Sequence, residues 1–366
     1  MALIVVDRTR IETDWKCARK RYWLTEYDGT GIVPARAATA LNFGIAVHEG
    51  LEIVTEHSSG GAQVATEHLE KLPEWGELTP EHQQLCVGLL WGFAKVVWPE
   101  WMKNFDKVAV EQELEMEDNG IVYMMRPDLL LREKTTGDLW YPDFKTYSAA
   151  WGNRKWMHAL QQQLTVLACE KATGERMAGA WVQGLYKGNI RAGRLYHPLM
   201  YGYRKFGSPG LYPTQYSLKR KSGFERFSTA QFEGTKQVPK TGLEGWIEWL
   251  MVNEPDAVAN CFPRTQPIFV NHDMMNGFLR QRNFREKMIA EAKDMEHLSQ
   301  QQILDEVFPQ NFSECEAQWG ACPYLECCWN KQVNKNPVGS GMYKPRVPHH
   351  KMERELQKGK HETITN

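Results

Sequence analysis

The chain has 366 residues, and its 44 lysines and arginines nearly balance its 45 aspartates and glutamates, giving a formal net charge of -1. This balance excludes a globally basic nucleic-acid-binding protein, so any basic surface must be local. The length allows two domains or one elaborated α/β domain with a large core. The sequence contains no run of the roughly 20 apolar residues that a membrane span requires, and its first residues become charged too soon for a secretory signal. We therefore expect a cytoplasmic protein without a membrane partner.

The N-terminal part of the chain predicts two helices that each carry one residue with metal-binding chemistry. Thr13 can cap a helix that continues to about Tyr27 and contains Cys17. A second helix is expected over about residues 38–57, and it contains His48. Taken alone, Cys17 is more simply a buried thiol. A lone helical histidine is more simply a packed or surface side chain, although imidazole is a common metal ligand.

A long helix and an acidic strand follow. Apolar residues at helical spacing predict a helix from about Pro80 to Asn104, with its apolar face in the core. The strand predicted over residues 108–115 alternates acids onto one face. Because glutamate is rarely buried, a solvated face is the simpler interpretation. The alternative is that Glu111 or Glu113 supports a metal site.

The central part of the chain predicts two adjacent strands that carry Asp128, Asp143 and Lys145. Residues 121–131 and 139–146 are rich in strand-forming residues and are separated by a turn signal. Residues two apart on a strand project to the same face, so Asp143 and Lys145 point together while the phenylalanine between them turns into the core. Two carboxylates beside a lysine offer hard oxygen ligands for Mg²⁺ or Mn²⁺. Such a site can activate water and stabilise charge on a phosphodiester.

The second half of the chain predicts a glutamine-rich helix, further strands and a basic segment. A helix at about residues 155–173 carries three consecutive glutamines, Gln161 to Gln163, any of which could face the site. Residues 203–226 interleave cations with aromatic rings, which suits single-stranded or frayed nucleic acid. An exposed loop that happens to be basic explains the same composition. The remaining predicted elements are strands at residues 178–186 and about 194–201, and helices at about residues 243–252 and 272–298.

Half of the eight cysteines lie close together near the C-terminus, at Cys315, Cys322, Cys327 and Cys328. The first two, with either Cys327 or Cys328, can supply three thiolates, which leaves a fourth ligand to come from elsewhere. Thiolates suit zinc or an iron–sulfur cluster. In a reducing compartment such crowding indicates metal binding before disulfides.

The pattern of Asp128, Asp143 and Lys145 resembles the D…(D/E)-x-K signature of the PD-(D/E)XK nuclease superfamily. The segment around His48 is similar to the motif with which RecB-like members supply an active-site histidine. The resemblance implies a restriction-endonuclease-like α/β fold, in which helices flank a central mixed sheet. It implies that Lys145 activates water. The metal ligands that it implies, for Mg²⁺ or Mn²⁺, are His48, Asp128, Asp143 and the Phe144 backbone carbonyl.

Two further catalytic roles follow from the same resemblance. Glu111 stands where RecB-like relatives carry a glutamate on the first strand. Gln163 stands where they carry a Q-x-x-x-Y motif that positions substrate, although Leu167 replaces the tyrosine.

The cysteines resemble those of the iron–sulfur branch of RecB-like nucleases. The segment from Cys322 to Cys328 is similar to the C-P-Y/F-x-x-x-C end of that branch, and Cys17 stands in the place of the upstream cysteine. The longer spacing between Cys315 and Cys322 than in CRISPR-associated members favours the phage-type exonucleases. The resemblance implies a 4Fe–4S cluster that joins the N-terminal helix to the C-terminal segment, with the ligands Cys17, Cys315, Cys322 and Cys328.

Together these resemblances imply a metal-dependent DNA exonuclease in phage or bacterial recombination, repair or end processing. It would act on DNA ends or single strands, with a recombinase, a single-strand-binding protein or a CRISPR-adaptation protein as a partner. The nuclease domain would span residues 1–330, including a basic insert at about 190–300, and residues 331–366 would form a flexible basic tail. Two alternatives stay open: a non-catalytic DNA-binding or recombination partner on the same fold, and a zinc-stabilised protein of unrelated function.

Overall fold

Helices and strands are mixed along the chain in the computed structural model, which describes residues 3–36, 39–57, 60–148, 160–188, 197, 199, 215–220, 223–228, 242–253, 255–295, 297–317, 320–348 and 350–355. The strands are β1 (Ile4–Asp7), β2 (Ile32–Pro34), β3 (Phe105–Val110), β4 (Leu114–Asp118), β5 (Ile121–Met125), β6 (Leu129–Glu133), β7 (Leu139–Tyr147), β8 (Met177–Tyr186), β9 (Gln215–Arg220), β10 (Gly223–Ser228), β11 (Glu316–Ala317), β12 (Gly320–Ala321) and β13 (Tyr343–Pro345). The α-helices are α1 (Arg8–Lys16), α2 (Ala18–Arg21), α3 (Thr39–Glu56), α4 (Gly61–Leu69), α5 (Pro80–Gly92), α6 (Trp98–Asn104), α7 (Leu160–Thr173), α8 (Gly242–Asn253), α9 (Pro255–Ala259), α10 (His272–Asp294), α11 (Gln300–Gln302), α12 (Leu325–Trp329) and α13 (Lys331–Lys335). The predicted α/β class is confirmed.

Two sheets form the centre of the fold. The larger has the order β3-β6-β7-β8, in which β7 and β8 are parallel and the other neighbours antiparallel. The smaller has the order β1-β5-β4, in which β1 is parallel and β4 antiparallel to β5. Helices α3 to α6 cover one face of the larger sheet, while α7 contributes to apolar clusters with both sheets. Helix α7 therefore joins the two sheets into one fold.

The chain passes between the two sheets at two breaks in its strand pattern. The single strand predicted over residues 108–115 is in fact two strands, β3 and β4, in different sheets, and residues 121–131 likewise form β5 and β6. Glu111, at the first break, has a left-handed backbone with φ of 47°, which no regular ladder contains. Pro127, at the second, has no N–H to donate to a ladder. The Glu111 N–H donates to the Asp128 carbonyl over 3.2 Å, so the two breaks lie side by side.

The predicted helices at residues 38–57 and 80–104 are confirmed as α3 and as α5 with α6. The buried face of α3 includes Phe43, Val47 and Leu51; burial of each such side chain contributes about 1.5–3 kcal/mol. The opposite face is thereby left for polar groups. No helix in the described part of the chain is both long and apolar enough to cross a membrane.

The N-terminal helix begins earlier than predicted and is interrupted at Cys17. A strand, β1, precedes it, and α1 starts at Arg8 rather than Thr13. The Asp7 carboxylate caps α1 by accepting the Arg10 N–H at 2.7 Å. Cys17 has an extended backbone, with φ of -158° and ψ of 110°, between α1 and α2. The thiol is therefore placed at a kink instead of on a continuous helical face.

Buried ion pairs join the N-terminal helices to α10. Arg21 donates to the two carboxylate oxygens of Glu286 at 2.7 and 2.6 Å. The Asp14 carboxylate pairs with Arg282 at 2.9 Å and with Arg285 at 3.1 Å. These two α10 arginines fall in the region predicted as a basic insert, but their charges are engaged inside the fold and are not offered to nucleic acid.

The prediction of a flexible tail from residue 331 is wrong for the described residues up to 355. Strand β13 pairs antiparallel with β2, and Tyr343 is buried. Glu353 is also buried and pairs with Arg346 at 2.8 Å and with Arg10 at 2.6 Å. Composition suggested disorder because the segment is polar, but its charges are matched by partners within the fold.

The second half of the chain is described in part. The predicted strand at residues 178–186 and the helices at 243–252 and 272–298 are confirmed as β8, α8 and α10, and α7 begins within the helix predicted at 155–173. Most of the strand predicted at about 194–201, and most of the segment 203–226, lies outside the described residues. Strand β9 lies inside that segment and β10 extends just past its end, and the two pair as an antiparallel hairpin.

The buried carboxylate of Glu26 predicts a loss of stability in acid. Burial alone would raise its pKa, but Lys293, Arg21 and Arg10 hold the pKa of Glu26 well below its usual value of 4.5. A carboxylate whose pKa is lowered by folding stabilises the folded state when the pH is above the pKa that the group has in the unfolded chain. This contribution is lost as the pH falls below that pKa. We expect Glu26→Gln to lower the free energy of unfolding by about 3–5 kcal/mol at pH 7, with the difference from wild type shrinking below about pH 4.5.

Urea unfolding between pH 7 and pH 3 measures this difference. The matched control is Glu100→Gln, because Glu100 pairs with Lys103 on the surface, where both side chains are exposed; it should change stability little. A difference of constant size at every pH would contradict the assignment.

Candidate active site

A cleft of about 790 Å³ opens beside the two crossings between the sheets. Its walls come from the start of α1, the exposed face of α3, the ends of the central strands and the C-terminal segment. The lining residues with chemistry relevant to catalysis are Arg8, His48, Glu111, Arg126, Asp128, Lys145 and Gln161.

Three side chains in the cleft form a group able to hold a metal ion. One ligand atom each of His48, Glu111 and Asp128 lie within 4.8 Å of one another, and His48 Nδ1 is 3.7 Å from Asp128 Oδ2. Around an octahedral ion with bonds of about 2.1 Å, ligand atoms are about 3.0–4.2 Å apart. The 3.7 Å separation of His48 and Asp128 lies within this range, and the 4.8 Å limit on the other pairs lies just above it. Helix α3 supplies the imidazole, the break after β3 supplies Glu111, and the start of β6 supplies Asp128.

The two carboxylates of this group repel each other. Burial and the neighbouring Asp128 raise the pKa of Glu111 to about 8, against the opposing effect of Arg126, whose Nε lies 2.7 Å from Glu111 Oε2. A divalent cation would remove this repulsion. The left-handed backbone of Glu111 is a second cost, of about 1–3 kcal/mol, of a kind that recurs at functional sites.

Glu113, the alternative to Glu111, is directed to a different partner. Both of its carboxylate oxygens accept the Lys351 N–H at 3.0 Å. Glu113 therefore anchors the C-terminal segment, and Glu111 is the acid that this region contributes to the cleft.

Asp143 and Lys145 project to the same face of β7, as predicted. The ammonium lies 2.7 Å from Asp143 Oδ2. The Asp143 side chain is fully buried, and its two oxygens accept hydrogen bonds from the Tyr141 hydroxyl (2.7 Å), Lys145 Nζ (2.8 Å), Gln161 Nε2 (2.6 Å) and Gln162 Nε2 (2.9 Å). Asp143, predicted as a metal ligand, is thus not a member of the three-residue group. Its engaged oxygens instead hold Lys145 at the cleft.

The Phe144 backbone connects the two acidic strands. Its N–H donates to Asp128 Oδ2 at 2.7 Å, while its carbonyl, predicted as a metal ligand, accepts from Lys145 Nζ at 3.2 Å. The ring packs in the main core against Phe93 and Trp101. Phe144 therefore fixes Asp128 relative to β7.

The structure does not bring Gln163 into the cleft. Its amide donates to the Phe269 carbonyl at 3.1 Å and accepts the Asn271 N–H at 3.2 Å, so it anchors the segment before α10. Gln161 lines the cleft instead. Neighbouring residues on a helix point about 100° apart, so three glutamines in a row left the choice open.

Several cleft residues were not predicted as site residues. Tyr141 lies two residues before Asp143, so strand periodicity could have found it. Arg8 precedes the helix that was predicted, and Arg346 and His350 lie in the predicted tail, yet all three line the cleft. Only the three-dimensional arrangement places them there.

The four predicted cysteine ligands come together from both ends of the chain. After burial, the neighbouring Cys17 and Cys315 help to raise the pKa of the Cys322 thiol, and Cys322 and Cys17 do the same for Cys328. The Asn311 N–H donates to the Cys17 sulfur at 3.4 Å. The kink at Cys17 and the β11–β12 hairpin, which Cys315 and Cys322 flank, thus bring these thiols close together.

The environment of the two adjacent cysteines separates their roles. Burial raises the pKa of Cys327 to about 12, and its thiol interacts with Tyr343. Burial also raises the pKa of Cys328 to about 11, with the Trp23 indole lowering it in part. The Trp23 indole N–H is thus directed at the Cys328 sulfur, where it would stabilise a thiolate. This donor favours Cys328 as the ligand.

The spacing of the sulfurs bears on which group they could hold. Among the described residues, no three cysteine sulfurs lie within 4.8 Å of one another. Around a tetrahedral zinc ion with Zn–S bonds of about 2.3 Å, the sulfurs are about 3.8 Å apart. The described sulfurs are therefore spaced more widely than those of a closed tetrahedral zinc site.

No protein-family model matches this chain, and no curated protein is found as a relative. Its function is therefore argued from the cleft, the cysteine site and the sequence motifs.

The raised pKa of Glu111 predicts a pH dependence of the metal-free protein. The folded state binds the Glu111 proton more tightly than the unfolded chain, so stability falls as the pH rises from about 4.5 to about 8. Glu111→Gln removes this effect. In chelator, we expect it to match the wild-type melting temperature near pH 5 and to exceed it by about 2–4 °C near pH 8.5.

Thermal denaturation across this range checks the expectation, and Glu113→Gln is the control because its carboxylate anchors the C-terminal segment. Added Mn²⁺ should stabilise wild type but not Glu111→Gln. A melting-temperature difference that does not change with pH would count against the assignment.

Proposed function

We propose that the chain is a metal-dependent DNA exonuclease of the RecB-like PD-(D/E)XK type. The observation that carries the proposal is the convergence of His48, Glu111 and Asp128 on one cleft, with Lys145 at its edge. Carboxylates with one imidazole suit Mg²⁺ or Mn²⁺, and the imidazole favours the softer Mn²⁺ of the two.

The strand arrangement around the cleft supports this proposal. Asp128 precedes β6 and Asp143 lies on β7, its antiparallel neighbour, while β7 is parallel to β8. Helix α7 follows β7 and returns Gln161 to Asp143. This order supports a restriction-endonuclease-like core, to which the smaller sheet and α10 would be added.

The residues of the cleft divide the work of hydrolysis. His48, Glu111 and Asp128 would hold the ion, which supplies Lewis acidity for phosphodiester cleavage. Asp143 fixes the Lys145 ammonium, whose side chain is 21% exposed and can orient the attacking water or stabilise charge on the phosphate. Gln161 bonds to Asp143 and borders the same space, so it would position substrate where Gln163 was predicted to do so.

The cysteine site completes the proposal as a 4Fe–4S cluster held by Cys17, Cys315, Cys322 and Cys328. Its position between the α1–α2 kink and the C-terminal segment supports a structural role, since a cluster would clamp the two ends of the chain together. Close by, Arg19 makes a second such clamp by donating to the Phe308 and Leu304 carbonyls at 2.8 Å.

One observation favours the non-catalytic alternative, a DNA-binding or recombination partner. Both Asp143 oxygens accept hydrogen bonds from protein donors, so the acid beside Lys145 has no free oxygen for an ion. The two functions differ in whether DNA is cut.

We expect the wild-type protein, prepared under low oxygen, to degrade linear but not closed-circular DNA with Mn²⁺ or Mg²⁺. Lys145→Ala should lower the rate by at least about 100-fold, the usual contribution of a positioned proton-transfer group. The control Lys171→Ala removes a lysine that pairs with Asp118 on the surface and should leave the rate unchanged. If wild type and Lys145→Ala both bind DNA and neither cuts it, the non-catalytic function replaces the proposed one.

The cluster has its own test in two adjacent residues. We expect wild type to be brown and to contain iron and sulfide, and Cys328→Ser to lose the colour and some solubility. Cys327→Ser should keep both, because Cys327 interacts with Tyr343. Zinc in place of iron, or loss of colour in Cys327→Ser alone, would contradict the assignment of ligands.

A further inference from the structure

One arginine in the cleft has no carboxylate in contact with it. The other lysine and arginine side chains of the described lining are each paired, as Arg126 with Glu111 at 2.7 Å, Lys145 with Asp143 at 2.7 Å and Arg346 with Glu353 at 2.8 Å. Within the same described residues, Arg8 forms neither an ion pair nor a hydrogen bond through its side chain. It is attracted most strongly to Glu12 of the same helix, and also to Asp143 and Asp128, without touching them.

The position of Arg8 is fixed by the fold. It is the first residue of α1, directly after β1, and the Asp7 cap sets the start of that helix. The side chain is half-buried and borders the same cleft as Asp128 and Lys145. The backbone of Arg8 is therefore fixed at the edge of the cleft, and its guanidinium keeps its donors available.

When His48, Glu111 and Asp128 hold a metal ion, Arg8 becomes suited to binding an anion. A divalent cation would balance Glu111 and Asp128, and Lys145 already balances Asp143. The guanidinium then keeps the attraction of Glu12, its largest electrostatic partner, but no carboxylate contacts it within the described residues, so its donors stay available to an anion. Its planar set of N–H donors matches the oxygens of a phosphate group in two parallel hydrogen bonds.

We infer that Arg8 binds a phosphate of the nucleic-acid backbone beside the metal group and so holds the strand in register for cleavage. The inference rests on the proposed function and adds a substrate-binding residue that no sequence motif marks. The competing explanation is that Arg8 merely stabilises the nearby carboxylates. That role would appear in the melting temperature and the affinity for divalent ions, but not in the salt dependence of DNA binding.

The test measures binding of a short single-stranded oligonucleotide with Mn²⁺ at several salt concentrations, in a Lys145→Ala background so that the strand stays intact. We expect Arg8→Ala to weaken binding by about 10–100-fold, the range for hydrogen bonds to charged groups. It should also reduce the slope of log affinity against log salt by about 0.7, the value for one phosphate contact on a single strand. Arg8→Lys keeps the charge but not the paired donors, so it should keep the slope and bind with intermediate affinity.

The matched control is Arg132→Ala, which removes the same charge from the far end of β6, where Arg132 pairs with Glu175 at 2.7 Å. Equal affinity and slope for Arg8→Ala and Arg132→Ala, or no binding by any variant, would overturn the inference. If wild type cuts no DNA but binding still depends on Arg8, the proposed function fails and only the phosphate contact of Arg8 stands, without a role in cleavage. If wild type cuts DNA and Arg8→Ala binds normally, the proposed function holds and this inference fails.

Discussion

The hydrogen bond from the Glu111 N–H to the Asp128 carbonyl joins the two points where the chain passes between the sheets. At each point a strand of one sheet ends and a strand of the other begins, so backbone groups are released from both ladders. Pairing them with each other satisfies two groups that would otherwise be buried without a partner. It also places the side chains of Glu111 and Asp128 next to each other. The Phe144 N–H donates to Asp128 and so holds it against β7. The metal group is in this sense a product of sheet topology.

Ion pairing within the fold determines which lysine and arginine side chains remain available to bind a ligand. Arg282 and Arg285 are engaged with Asp14, and Arg346 with Glu353, so a count of basic residues overstates the charge available at the surface. The nearly equal numbers of basic and acidic residues form many specific ion pairs, and several of these are buried. Such pairs contribute little net stability when intact but are costly to break singly, which makes them effective in fixing how the ends of the chain meet the core.

Much of the fold and part of the site could be predicted from sequence. Periodicity places His48 on the polar face of a helix and Asp143 beside Lys145 on a strand, because both depend on local geometry alone. Periodicity did not find the break at Glu111, since nothing in the apolar pattern marks a single left-handed residue. Periodicity also could not choose among three adjacent glutamines, because each successive residue of a helix points in a different direction and so meets a different partner. The packed C-terminal segment was missed because its partners, such as Arg10, are distant in sequence.

Helix α1 connects the two regions with the most distinctive chemistry. Its first residue, Arg8, borders the cleft, and its last residue, Lys16, adjoins Cys17. A helix of nine residues is about 13 Å long and resists bending. The cysteine site and the cleft therefore lie at the two ends of one short, stiff helix, which sets the distance between them.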